Sequence, residues 1–193
     1  MIKILFSVFI IFGLSNLYSC TPGGVLASGG ATTMVVAEGD RTLGTVVDDA
    51  TIKINISSNL LSSSTNLFVN VNTSVIEGRV LLTGIVDTQE IRIEAVRKVW
   101  EVNGVKEVIN EIEIGSKTTI KEYANDLWIT TQVKGLAAKT IGLRALSYNF
   151  ETIKGKVYIA GITSRPEQLD QVIEVAKTVK GVKEIVNYVI VKE

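Results

Sequence analysis

The chain has 193 residues, 20 basic and 20 acidic side chains, no histidine and one cysteine. The missing imidazole excludes histidine-dependent catalysis and histidine metal sites, and a lone cysteine excludes an internal disulfide. A balanced charge with 46% hydrophobic residues describes a folded protein without the basic excess of a nucleic-acid binder, and no nucleic-acid partner is expected.

Residues 1–19 read as a targeting segment. Lys3 supplies a basic start, Ile4 to Leu14 an apolar stretch, and Leu17-Tyr18-Ser19-Cys20 an end. This pattern resembles a bacterial lipoprotein signal, which implies acylation of Cys20 as the mature N-terminus. A membrane anchor or a plain secretory signal are the alternatives, and the apolar run is short for a span. Residues 20–44 follow as an acylated end and a flexible tether rich in Gly, Ala, Thr and Ser.

From there the chain repeats itself. Glu77-Gly78-Arg79-Val80 returns as Lys154-Gly155-Lys156-Val157, an offset of 77 residues. Val102-Asn103-Gly104-Val105-Lys106-Glu107 returns as Val179-Lys180-Gly181-Val182-Lys183-Glu184, and Asp49 and Ile52 return as Asp126 and Ile129. A whole-domain duplication of this kind sets the fold reading. The first unit covers residues 45–115, a linker 116–121, and the second unit 122–193.

Each unit reads helix, strand, strand, helix, strand. The first helix is expected to start at an acidic cap, Asp48 or Asp49, with Ile52, Ile56 and Leu60 inward. Ile129, Val133 and Leu136 form the matching stripe. Strands are predicted over 68–76 and 79–86, and over 145–153 and 156–163, with Gly78 and Gly155 in tight turns. Gly84 and Gly161 inside strand patterns mark either a bulge or a close approach by another element. A second helix over 88–102 places Ala95, Val96, Val99 and Val102 inward; Leu169, Val172, Ile173, Ala176 and Val179 repeat this. The last strands are 106–114 and 183–192. A right-handed crossover makes them parallel to the preceding strand. The fold class is therefore α+β, two tandem units, each a three-stranded mixed sheet with two helices on one face.

The two units differ in charge. Residues 45–115 carry 10 acidic and 6 basic side chains, residues 116–193 carry 8 and 12. An anionic partner should prefer the second. Glu111 and Glu113, two apart on a strand, read as its solvated face rather than a catalytic pair. No catalytic residue, cofactor or metal site can be assembled.

The motif G-x-V-x-x-x-G, a helix, then V-x-G-V-K-x-V/I-x-N, present twice, resembles the BON domain. Two such domains behind a lipoprotein signal resemble the dual-BON outer-membrane lipoproteins of Gram-negative bacteria. The run Asn125-Asp126-Leu127-Trp128-Ile129-Thr130-Thr131-Gln132-Val133-Lys134 is similar to a helix of a lipid-binding member. The resemblance implies a non-enzymatic protein anchored in the inner leaflet of the outer membrane, facing the periplasm. It also implies phospholipid binding by the tryptophan-bearing helix of the second domain.

The helical wheel reaches the same helix. With Ile129, Val133 and Leu136 inward, Leu127, Trp128, Thr131, Lys134, Gly135 and Ala138 project outward. Trp128 aligns with Thr51 in the first unit, so the shared fold does not need an indole there. An aromatic beside a lysine suits an anionic phospholipid membrane surface. The other reading packs Trp128 between the units and makes the chain an adaptor for envelope protein partners. Tyr158, Val186, Tyr188 and Ile190 are expected on the outer sheet face of the second unit, covered by the first; Trp100 is expected to support that contact, the alternative being a second membrane touchpoint.

Overall fold

The computed structural model describes residues 41–116 and 118–192. The segment read as a lipoprotein signal, Cys20 and most of the stretch read as tether lie outside the described residues.

The first unit runs α1 (Leu43–Ser63), α2 (Thr65–Asn70), β1 (Val71–Ile76), β2 (Arg79–Val86), α3 (Gln89–Trp100) and β3 (Glu107–Ile114). The second runs α4 (Ile120–Ile141), a 3-10 turn (Gly142–Ser147), β4 (Tyr148–Ile153), β5 (Lys156–Thr163), α5 (Pro166–Lys177) and β6 (Glu184–Val191). In each, the first two strands form an antiparallel hairpin and the last strand adds parallel, in register Val80 with Val108 and Val157 with Ile185. Gly84 and Gly161 are where the close approach occurs: a Cβ there would lie 2.0 Å from the Asn70 carbonyl oxygen and 2.6 Å from that of Ser147.

Three local expectations are corrected. Asp49 is not a helix cap. Thr42 caps α1 by accepting from the Thr45 amide, so the helix begins inside the stretch read as tether. Asp49 instead lies on the inward stripe three residues before Ile52, and it is buried. Its carboxylate accepts from the amides of Glu77 (2.7 Å) and Gly78 (2.9 Å) and is paired with Arg41. Asp126 does the same for Lys154 (2.7 Å) and Gly155 (2.9 Å). These hairpin turns need the help, because Glu77 (φ 51°) and Lys154 (φ 50°) sit in the left-handed region without being glycine. Such backbone costs about 1–2 kcal/mol per residue unless it is held from outside.

Second, residues 68–70 are helical rather than strand. Ser64 accepts from the Asn66 amide and starts α2, overriding the β-prone Phe68 and Val69. Residues 145–147 likewise belong to the 3-10 turn. Third, Glu111 and Glu113 are half-buried rather than solvated. The Tyr188 hydroxyl donates to Glu111 Oε1 at 2.5 Å, and Glu113 pairs with Lys156 at 3.5 Å.

Each sheet buries one face under its own helices. Ile56, Leu60, Leu82 and Val99 are at the centre of the first core, and Ile129, Val133, Ile159 and Val172 of the second. The opposite faces of the two sheets meet in a third core of Ile76, Leu81, Tyr158, Ala160 and Ile162, flanked by Val186, Tyr188 and Ile190. The expected cover over Tyr158 is thus present, and the order of layers is helices, sheet, sheet, helices. Trp100 takes no part in this contact; it is 51% exposed at the end of α3.

The contact follows a pseudo-twofold axis. Tyr188 and Glu111 are separated by 77 residues, the repeat offset, so each is the other's counterpart. Lys192 reaches Glu77 at 2.5 Å, and in the exchanged pair Lys154 Nζ lies 3.7 Å from where a Gly115 Cβ would stand. This is the self-complementary geometry of a twofold dimer built within one chain.

Candidate functional site: the first long helix of the second repeat

Helix α4 is set by a capping box. Thr119 accepts from the Glu122 amide at 3.2 Å, and Glu122 accepts from the Thr119 amide at 2.8 Å. Those bonds hold the Glu122 carboxyl below the usual carboxylate range, with Lys154 and Lys183 nearby adding to the effect. Asp126, Ile129, Val133 and Ala137 turn inward.

All six residues singled out on this helix, Leu127, Trp128, Thr131, Lys134, Gly135 and Ala138, are exposed. Leu127 is 56% and Trp128 47% exposed, so the indole is not sealed beneath the first repeat. The six do not form one patch, however. Consecutive residues on a helix diverge by about 100°. Leu127 and Lys134 line a groove between α4 and the rim of the first repeat, together with Tyr123 and Ile120. Trp128 points to the other flank, one turn beyond Asn125 and two beyond Lys121.

That flank holds cations which the sequence pattern did not assign. Lys121, Lys154 and Lys183 surround a concavity of about 510 Å³ with Thr119, Asn125 and the acidic Glu122 and Asp126. The signal for two of them lay in comparing the copies: Lys154 replaces Glu77, Lys121 replaces Gly44 and Asn125 replaces Asp48, whereas Lys183 repeats Lys106. Among the described residues, no three His, Cys, Asp or Glu side chains are placed to hold a metal ion. No described helix is long and apolar enough to cross a membrane.

A tandem α+β repeat with a hairpin, a crossover helix and a parallel third strand, fused across a pseudo-twofold axis, defines the class. The BON domain model matches residues 48–116 and again 125–193, and the chain belongs to the BON-domain family. It is 40% identical over 147 residues to an Anaplasma centrale protein known by its place in the gshII 5′ region, covering 76% of this chain and 96% of that one. It is 29% identical to the outer membrane lipoprotein DolP of Haemophilus influenzae, over 82% of each chain. A 21 kDa hemolysin of Actinobacillus pleuropneumoniae is 32% identical over 77% of this chain and 78% of that protein.

Proposed function

We propose that this is a non-enzymatic envelope lipoprotein, anchored through Cys20 in the inner leaflet of the outer membrane. In this reading α4 of the second repeat binds anionic phospholipid at the membrane surface. The observation that carries the reading is Trp128, half-exposed on α4 at a position where the first repeat has Thr51. An indole favours the headgroup level of a bilayer, and lysines alongside meet phosphates while their stems cover apolar surface. Lys121, Lys154 and Lys183 gather at the N-terminal end of α4, and Lys121 lies about two turns before Trp128 on the same flank. The outer-membrane placement is supported by the name of the Haemophilus relative and by the form of residues 1–20.

Vesicle flotation of residues 21–193 tests it. Binding should require anionic lipid and be lost in Trp128→Glu. Retained flotation by a folded Trp128→Glu protein removes α4 as the contact surface. Partner capture that ignores both lipid and Trp128 then favours the adaptor role.

A further inference from the structure

The pseudo-twofold axis makes one pair of contacts directly comparable. On one side Asn149 Nδ2 donates to the buried Ser74 Oγ at 2.8 Å and closes the seam between the repeats. Exchanging the repeats turns Asn149 into Asn72 and Ser74 into Glu151. On that side the seam is open. Asn72 and Glu151 both line the groove beside α4, which has a volume of about 570 Å³. Val69 and Ile85 form one wall, Tyr123 and Leu127 the other, and Lys134 stands with Glu151. A smaller recess of about 180 Å³ brings Lys53 of α1 to the far side of the same carboxylate.

The Glu151 carboxylate makes no hydrogen bond with any described residue. Burial pushes its carboxyl up from the ordinary value, opposed by Lys134 and Lys53. The scaffold does not require this arrangement. At the equivalent positions the first repeat carries Ser74 for Glu151, Ser57 for Lys134, Ala50 for Leu127 and Val46 for Tyr123.

We propose that the groove binds the head group of an aminophospholipid, with Glu151 accepting from the primary ammonium and Lys134 meeting the phosphate. The glycerol and the upper part of an acyl chain lie along Tyr123, Leu127 and Val69. The volume falls in the range of small-ligand sites, which combine apolar walls with a few placed polar groups. A carboxylate between two lysines repels a simple cation from one side and a simple anion from the other, whereas a ligand carrying both charges satisfies both. The ammonium also brings three N–H donors to an acceptor that has none, in charge-assisted bonds. A quaternary ammonium brings no donor, and a glycerol head group brings no positive charge. This site goes beyond the membrane-surface reading and does not depend on Trp128.

The test is calorimetric titration of the full chain, held in maltoside micelles, with dihexanoyl phosphatidylethanolamine, phosphatidylglycerol and phosphatidylcholine. In the Trp128→Glu background, which removes the membrane-surface contact for anionic lipid, the ethanolamine lipid should bind at least tenfold more tightly than the other two. Glu151→Gln should reduce that preference to within twofold, and Lys134→Met should weaken binding of the ethanolamine lipid at least fivefold. The preference is read without the indole, so a failed flotation experiment and a failed groove are distinguishable. Lowering the pH through the raised titration of Glu151, which Lys53 and Lys134 face, should erode the preference. Equal binding of the three lipids in that background, or a preference that survives Glu151→Gln, overturns the proposal. Binding of free glycerophosphoethanolamine as tight as that of the lipid overturns its lipid part.

Discussion

The first repeat turns its hairpin on Glu77 and the second on Lys154, yet both turns hang from an inward aspartate, Asp49 or Asp126, through the same two amide bonds. What positions the backbone has been kept in both copies, and what faces outward has changed sign. The same division runs along the seam. Leu81 and Tyr158, counterparts in sequence, both serve the core between the sheets. Ser74 and Glu151, also counterparts, have parted: one closes a hydrogen bond, the other opens a groove. The second repeat carries Trp128, Lys121, Lys134, Lys154 and Glu151 where the first has Thr51, Gly44, Ser57, Glu77 and Ser74.

The comparison is broken most severely at the seam. Tyr158→Ala removes a ring that is 1% exposed in the centre of the inter-sheet core. It should destabilise the chain by about 3–5 kcal/mol in urea denaturation, as other buried aromatic truncations do. It should also split one unfolding transition into two, because the repeats lose their common core.

Next in size are the turn aspartates. Asp126→Ala releases two amides that bond a carboxylate, for an expected loss of about 2–4 kcal/mol. Asp49→Ala should lose slightly more, since Arg41 also loses its partner. A large inequality in the other direction, read by thermal or urea unfolding, would show that the turns are not equivalent.

Alkaline pH probes the seam more gently. The phenols of Tyr158 and Tyr188 are pushed up to about 12, in both cases chiefly by burial, and for Tyr188 also by its bond to Glu111. A raised pKa means the folded state favours the protonated phenol. The associated stability is complete below pH 10 and is lost as pH rises through 12. Spectrophotometric titration should show two late phenols, and unfolding should accompany their ionisation.

Glu151 gives a smaller effect of related sign. Its raised carboxyl pKa means the folded state favours the neutral form, an advantage present at low pH and lost as pH rises through the folded value. Glu151→Gln should therefore melt above the parent at pH 7, and the two should converge in acid. The smallest effect belongs to Trp128→Glu, an exposed substitution expected to change stability by no more than about 0.5 kcal/mol. A larger loss, measured by urea unfolding, would assign the indole a packing role.

Much of the fold was legible because its signals are local. Alternation along β5 and β6 placed Tyr158, Val186, Tyr188 and Ile190 on one face, and the structure buries that face between the sheets. The helical wheel of α4 placed Trp128 outside, where it is. Asp49 misled because an acidic residue near a helix start is the usual sign of a cap, and its true partners lie 28 and 29 residues away. Helix α2 was hidden by Phe68 and Val69, whose strand preference gave way to the Ser64 cap. Trp100 misled by size, since an unshared indole looks like an interface anchor. The groove belongs to neither repeat alone, so no periodicity reveals it. What pointed there was the set of differences between copies, Glu151 for Ser74, Lys134 for Ser57, Leu127 for Ala50 and Tyr123 for Val46.

Position 111 touching position 188 has one more consequence. A surface that meets its own copy across a diad would, on an unlinked single unit, hold two separate molecules together, and their assembly would vary with concentration. Joining the units end to end turns that bimolecular encounter into a unimolecular one. It also frees each half to mutate without forcing the same change on its mate, an asymmetry that a true homodimer cannot reach.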